Sequence, residues 1–256
     1  PSMLRLMVET AESSPDIGIC TCKMRRITPG GEKLNTIDSV GADIDIFGFP
    51  SSRGINEPDN GQLDKPSEVF FSFGGAMLIK KKALERVGAY DPKFFTLADD
   101  IDLCWRAHLA GYKVVVQPKA VLYHRVSATL GTIAGRGQKR YWSERNTLRM
   151  LLKNYSFPTI MKIIPLYLGL MTADVAFFSL LRRPRMAQAY FRVLLWNLRN
   201  FRDTWTEHLK VQRLRVIPDT EIQKMMIKKP LKVTIFKEYL RGSDIRTGAY
   251  FGENIY

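Results

Sequence analysis

The chain has 256 residues, of which 45% are hydrophobic and 25% are charged, and these values are ordinary for a folded globular protein. They exclude a largely disordered chain, and the length allows one large domain or two modest ones. The net charge is +14, and it is unevenly distributed. Residues 1–135 carry 16 Lys or Arg and 16 Asp or Glu, whereas residues 136–256 carry 23 and 9. The basic second half is expected to attract a polyanion or an anionic membrane surface.

The three cysteines, Cys20, Cys22 and Cys104, form an odd set without disulfide-framework spacing. They are expected to be free, buried thiols, and no second ligand pair follows that would suggest a metal site. The chain opens at Pro1 without a signal-peptide pattern. It is therefore expected to be a processed chain or a fragment.

Hydrophobic periodicity predicts alternating helices and strands in the first half, and Gly and Pro residues mark where they end. The predicted elements are a helix over 2–12, strands over 17–24 and 69–73, a helix ending before Gly88, a helix over 99–111, and strands over 113–117 and 120–124 separated by Pro118. Residues 27–68 are rich in Gly, Pro, Asp and Asn, which predicts mainly loops. From residue 136 the pattern predicts basic, partly apolar helices over 141–155, 157–183 and 187–215.

Carboxylates mark the start of the helix at 99–111. Asp99 and Asp100 lie at its predicted N-terminus, where exposed N–H groups and the helix dipole favour a negative charge. A carboxylate kept ionised and oriented there can accept a proton from an attacking hydroxyl. Plain helix capping by a solvated acidic turn is the alternative explanation.

His124 and the Gly74-Gly75 pair are the other candidate site residues. His124 ends an apolar strand, where a neutral imidazole can bind a metal, although a structural role explains a lone His equally well. Gly74-Gly75 follows an apolar strand. Two glycines there permit either a close approach to a ligand or a simple bend.

Four motifs in this region occur in a characteristic order: FGGAM, VGAYDPKFF, ADDIDLCWRAHLAGY and VLYH. In order and spacing they resemble the family 2 nucleotide-sugar glycosyltransferases, in particular the rhamnosyltransferase-like branch. The resemblance covers about residues 1–155. It implies an α/β fold, namely the C-terminal part of a GT-A domain with a mixed sheet, over residues 1–135. A basic, helical, membrane-associating region over residues 136–256 would follow.

The resemblance also implies a role for each motif residue. Asp100 would be the catalytic base, and Gly74, Gly75 and Asp99 would bind the acceptor. His124 would be a metal ligand, and Asp102 and Arg106 would support the helix and loop. The partners would be a nucleotide-sugar donor, a saccharide or lipid-linked acceptor, and Mg²⁺ or Mn²⁺ as a divalent cation.

The resemblance implies an inverting glycosyltransferase of cell-surface polysaccharide or glycolipid synthesis. The family's DxD motif is not found, because Asp43 and Asp45 have its spacing but follow the strand in the wrong order. The donor-binding half is therefore expected upstream of Pro1, and the fragment alone is expected to be inactive. A non-catalytic membrane-surface scaffold that keeps the fold is the competing hypothesis.

The apolar segment 157–181 has three possible locations. Lys162, Pro165 and Asp174 interrupt it, which favours a helix in the plane of the membrane interface over a spanning helix or a soluble core helix. The implied location is the cytoplasmic side, peripheral on the inner face of the cell membrane. Nucleic-acid binding is not expected, because no recognised motif accompanies the basic residues.

Overall fold

Strand β1 is central to the sheet in the computed structural model, which describes residues 2–125 and 135–240. The seven strands are β1 (Ile17–Ile27), β2 (Lys33–Ser39), β3 (Ala42–Ile44), β4 (Pro50–Ser52), β5 (Ser67–Glu68), β6 (Met77–Ile79) and β7 (Lys113–His124). Strand β1 pairs in parallel with β7 and antiparallel with β2 and β6, and β5 pairs antiparallel with β7. Strands β3 and β4 form a separate hairpin. The larger sheet is therefore mixed, as predicted.

Nine α-helices surround and follow this sheet within the described residues. They are α1 (Ser2–Glu12), α2 (Lys81–Val87), α3 (Asp99–Leu109), α4 (Arg136–Asn154), α5 (Phe157–Leu180), α6 (Pro184–Arg199), α7 (Phe201–Leu214), α8 (Asp219–Lys224) and α9 (Leu231–Leu240). The predicted helices near the N-terminus, before Gly88 and from Asp99 are confirmed. Gly111 has φ +88° and follows the C-cap of α3, a left-handed position that glycine commonly fills at the end of a helix.

Both faces of β1 are buried, which explains its almost continuous apolar sequence. On one face, Cys20, Cys22 and Met24 pack with Met7 and Ala11 of α1. On the other face, Ile19 belongs to a large core that includes α3 and continues into α4, α5 and α6. The described helices after residue 135 thus share a hydrophobic core with the sheet.

Three element predictions are wrong, each for a local reason. Residues 113–124 form one strand rather than two, because a bulge opposite Cys22 and Lys23 accommodates Pro118. The helix predicted over 187–215 is two helices, since the chain turns at Asn200, whose side-chain amide donates to the Trp196 carbonyl at 2.8 Å. Residues 69–73 make a single bridge, from Phe71 to Ala42, instead of a strand.

Candidate active site

The carboxylate of Asp100 lies at the start of α3 and reaches the glycine pair. Its Oδ1 accepts a hydrogen bond from the Ile101 amide at 2.9 Å, and its Oδ2 accepts one from the Gly74 amide at 3.3 Å. Two residues predicted separately from the sequence are therefore in direct contact. The backbone bonds orient the carboxylate and leave other lone-pair positions for a further partner.

The surroundings of Asp100 favour a proton acceptor that works near neutral pH. Burial, together with the neighbouring Asp99 carboxylate, raises the pKa of Asp100 to about 7, although the Ile101 and Gly74 amides oppose this shift. Burial also raises the pKa of Asp99. A carboxylate whose pKa lies near the working pH is a stronger base than an ordinary aspartate and is still substantially ionised.

Tyr90 faces the same position, although no sequence pattern singled it out. A Cβ atom added to Gly74 would lie 3.4 Å from the Tyr90 hydroxyl. Burial and then the Asp100 charge raise the pKa of Tyr90 to about 12. The phenol is therefore protonated at neutral pH and can donate a hydrogen bond beside Asp100.

The glycine pair forms a one-turn 3₁₀ helix, Gly74–Ala76, whose end is fixed to the sheet. The Thr21 hydroxyl of β1 donates to the Ala76 carbonyl at 2.9 Å. A Cβ atom on Gly75 would meet nothing within 4 Å, so Gly75 faces open space. With no side chain at Gly75, a ligand could approach the backbone closely at this open edge.

Asp102 and Arg106 are buried in a charged network, an arrangement that suits their predicted supporting role. The Asp102 carboxylate accepts bonds from Arg106 and Lys153 at 3.0 and 2.9 Å. Burial would raise the pKa of Asp102, but Lys153 and Arg106 outweigh burial and hold it below its usual value. The Arg106 guanidinium also donates to the carbonyls of Val87, Gly88 and Ala89 and so ties α3 to the end of α2.

His124 lies at the end of β7, as predicted, and is held by a carboxylate. Its Nδ1 lies 2.8 Å from Oδ2 of Asp38, a residue of β2. Metal-binding histidines are commonly oriented in this way, with the second ring nitrogen left for the ion. Within residues 2–125 and 135–240, however, no three His, Cys, Asp or Glu side chains group closely enough to hold a metal. The described residues thus offer one suitable ligand and no complete site.

Asp43 and Asp45, which have DxD spacing, are both engaged in structural contacts. Asp43 accepts two bonds from the Arg53 guanidinium, at 2.7 and 2.8 Å. Asp45 is fully buried and accepts bonds from the backbone amides of Phe47, Phe49 and Leu231. Neither carboxylate is presented as a metal ligand.

Comparison with known proteins adds three findings. A model of the glycosyl transferase family group 2 matches residues 60–206, which is more than half of the chain. The poly-beta-1,6-N-acetyl-D-glucosamine synthase of Staphylococcus aureus (strain COL) is 26% identical over 165 residues, covering 63% of this chain and 35% of the synthase. The synthase of Staphylococcus epidermidis is 27% identical over 157 residues, covering 60% and 33%.

A solved structure, that of GalNAc-T7 with UDP, GalNAc and Mn²⁺, has a TM-score of 0.44 at 12% identity, covering 75% of this chain and 37% of that one. This likeness is too distant to support any assignment. The chain spans about a third of the length of the curated relatives it matches. The family match includes the Gly74-Gly75 turn, the Asp99-Asp100 pair, His124 and α4. The family match, together with the mixed sheet and its helices, agrees with the predicted GT-A-type α/β fold. The chain belongs to glycosyl transferase family group 2.

Proposed function

We propose that the intact protein transfers a sugar from a nucleotide-diphosphate-sugar to a saccharide or lipid-linked acceptor, with inversion. The reaction would serve cell-surface polysaccharide or glycolipid synthesis. Family membership supports sugar transfer in general. The observation that supports the specific mechanism is the Asp100 carboxylate, which contacts the Gly74 amide at 3.3 Å beside the open glycine edge and has its pKa raised to about 7.

In the proposed step, the acceptor hydroxyl gives its proton to Asp100 while its oxygen bonds to the anomeric carbon of the donor. The bond from that carbon to the diphosphate breaks on the opposite face, and the nucleoside diphosphate leaves with the electron pair. Gly74, Gly75 and Asp99 would border the acceptor, because the glycines leave space there. The protonated Tyr90 hydroxyl would donate to an acceptor oxygen or to Asp100.

The donor sugar and the cation are part of the proposal. The motif resemblance favours rhamnose as the donated sugar, whereas the curated relatives are named for a polymer of N-acetyl-D-glucosamine. We propose a divalent cation, Mg²⁺ or Mn²⁺, with His124 as one ligand held in place by Asp38. Oxygen ligands with one imidazole suit either ion.

The test is an assay of the intact protein against a panel of nucleotide-diphosphate-sugars with lipid-linked saccharide acceptors. We expect transfer from at least one donor. Asp100→Asn should lower kcat by about 10²–10⁴-fold, or about 3–5 kcal/mol, because a positioned base contributes that much. Asp16→Asn is the matched control, since Asp16 pairs with Lys113 at the other end of the strand that carries His124.

Two results would contradict the proposal. Turnover of Asp100→Asn close to that of the wild type would remove Asp100 from the role of base. A protein that binds membranes but transfers no sugar from any donor would instead support the alternative of a non-catalytic scaffold.

We further propose that the helices after residue 135 lie on the cytoplasmic face of the cell membrane. Helix α5 is long and apolar enough to cross a bilayer by length and composition, and only 22% of its most apolar window is buried. The exposed apolar residues of α5 and α6 include Leu180, Phe191 and Leu198, which are 82%, 71% and 73% exposed. An interfacial location suits such faces when basic residues accompany them. It would bring the site close to lipid-linked acceptors.

A further inference from the structure

The segment that leads into Asp99 and Asp100 has an unusual backbone. Phe95, Leu97 and Ala98 have φ values of 65°, 68° and 64°, in the left-handed region that costs a residue with a side chain about 1–2 kcal/mol. Three such residues within four positions persist only when the surrounding structure holds them. Ala98 is also the N-cap of α3, so the conformation of this segment sets where the helix begins.

Two neighbouring residues of α4 hold the segment by its carbonyl groups. The Asn146 amide nitrogen lies 2.9, 2.7 and 2.7 Å from the carbonyl oxygens of Phe94, Thr96 and Leu97. The Arg145 guanidinium donates to the carbonyls of Lys93 and Phe94 at 3.0 and 2.8 Å. Both side chains are buried. Only the nitrogen of the Asn146 amide can face these three acceptors, because its oxygen cannot donate.

The two side chains also fix each other, and the beginning of the segment, at Asp91, is held separately. Arg145 Nε donates to Oδ1 of the Asn146 side chain at 2.8 Å, which fixes the orientation of the side-chain amide. One and two helical turns further along α4, Arg149 and Lys153 bind the Asp91 carboxylate at 2.8 and 2.9 Å. The middle of the segment therefore depends on Arg145 and Asn146, while its beginning depends on the later turns.

We infer that Asn146 and Arg145 are positioning residues for sugar transfer: they hold the left-handed backbone of residues 93–98 and thereby place the Asp100 carboxylate against the Gly74 amide. This inference rests on the proposed role of Asp100. Asp100 is two residues beyond Ala98, so a relaxed backbone at 95–98 moves the start of α3 and the carboxylate with it. A misplacement of about 1 Å can cost about 10²-fold in rate.

The test is a double-mutant cycle in the intact protein, built from Asn146→Ala and Asp100→Asn and read by single-turnover transfer of labelled sugar. We expect Asn146→Ala alone to lower kcat by about 10–100-fold with the donor KM changed less than about 2-fold. If Asn146 acts through Asp100, adding Asn146→Ala to Asp100→Asn lowers kcat further by less than about 3-fold. A role in stability alone would lower kcat by the same factor in both backgrounds and would overturn the inference.

Asn197→Ala is the matched control, because Asn197 is a buried asparagine of α6 that donates to the Arg145 and Val193 carbonyls and not to the 93–98 segment. It should lower the melting temperature yet leave kcat within about 2-fold.

Should Asn146→Ala not fold, Arg145→Lys enters the same cycle, since lysine keeps the charge but cannot bind two carbonyls and the Asn146 side chain together. Near-normal turnover of a folded Asn146→Ala protein would contradict the inference, whereas near-normal turnover of Asp100→Asn would contradict the proposed function instead.

Discussion

The pKa of Asp100 lies near 7 because groups around the carboxylate act on it in opposite directions. Burial and Asp99 disfavour its charge, while the amides of Ile101 and Gly74 and the helix N-terminus favour it. Because its folded-state pKa of about 7 exceeds the ordinary aspartate value of 3.8, the protonated form is favoured by folding. That contribution to stability is complete below about pH 4 and is lost as the pH rises through 7. The protein thus gives up stability to hold the Asp100 carboxylate in its ionised form.

The site residues that could be predicted from the sequence lie in short contiguous motifs. Asp99-Asp100 indicates both a helix start and a possible proton acceptor, and Gly74-Gly75 indicates both a bend and space for a ligand. Such motifs can be recognised before the fold is known. Tyr90 and Asn146 could not be predicted, because their roles depend on the proximity of Tyr90 to Gly74, 16 residues away, and on bonds from Asn146 to carbonyls about 50 residues away. Such contacts leave no periodicity or spacing in the sequence. The Asp38 partner of His124 is hidden for the same reason, being 86 residues distant.

Among the elements, helix α4 joins the sheet to the later helices through polar contacts. Its buried polar residues recur at one-turn intervals at Arg145, Arg149 and Lys153, and all three face the segment 91–102. A helix with charged residues on its buried face is unusual, since charges are rarely buried without partners. The sequence signal was present as a helical stripe of Arg and Lys, but its buried orientation could not be predicted without the fold.

Replacing Lys153 by methionine should destabilise the fold by about 3 kcal/mol, because it removes a buried cation that two carboxylates share and leaves each of them with one arginine. Lys153 contacts both Asp91 and Asp102 at 2.9 Å with its side chain 2% exposed. The measurement is the free energy of unfolding in urea.

Lys210→Met is the matched control. Lys210 of α7 pairs with Glu207 at 2.7 Å, but its side chain is 62% exposed, so its loss should leave the urea midpoint almost unchanged. Equal midpoints for the Lys153 and Lys210 variants would contradict a supporting role for the buried network.

Most helices and parts of the strands β1 and β7 were predicted from the sequence. The predictions failed where a tertiary contact overrode a local signal. Pro118 is tolerated inside β7 because a bulge removes the need for its missing N–H. The short strands β2 to β5 lie in a segment of loop-like composition. Strand β2 pairs with its neighbour β1, β3 pairs with β4, and β5 pairs with the distant strand β7.

In the molecule as a whole, the positive charge and the exposed apolar residues occur in the same half of the chain. The excess of 14 positive charges lies in residues 136–256. Between residues 136 and 240, the exposed large apolar residues include Phe157, Met161, Leu166, Leu168, Leu180, Leu181, Phe191, Leu194, Leu198, Phe201, Leu209, Val216, Val233 and Phe236. This combination is typical of a surface that binds an anionic membrane.

The intact protein should float with vesicles that contain anionic lipid and bind neutral vesicles much less. The double substitution Phe191→Glu with Leu198→Glu should reduce flotation at least 10-fold, because it places two negative charges on an exposed apolar face of α6. The measurement is co-flotation in a density gradient at physiological salt.

Leu4→Glu is the control, since Leu4 is a similarly exposed apolar residue, 56% accessible, on α1. It should leave flotation unchanged. A loss of flotation with Leu4→Glu but not with the α6 substitutions would place the membrane surface elsewhere, and binding to nucleic acid without binding to vesicles would contradict a membrane role.

Residues 1–135 and 136–256 differ in composition but are not separate in their packing. Composition changes sharply near residue 135, yet the hydrophobic core passes across that point. We propose that the two parts differ in function, with the first presenting the reacting groups and the second approaching the membrane, while they fold on a common core.

The most direct test of the central claim, that Asp100 accepts the proton of the acceptor hydroxyl, is the pH dependence of kcat for sugar transfer by the intact protein. We predict that the wild-type rate falls about tenfold per pH unit below an apparent pKa near 7, because protonated Asp100 cannot act as a base. In Asp100→Asn this acidic limb should disappear and leave a low, flat profile. The same acidic limb in both proteins would contradict the claim.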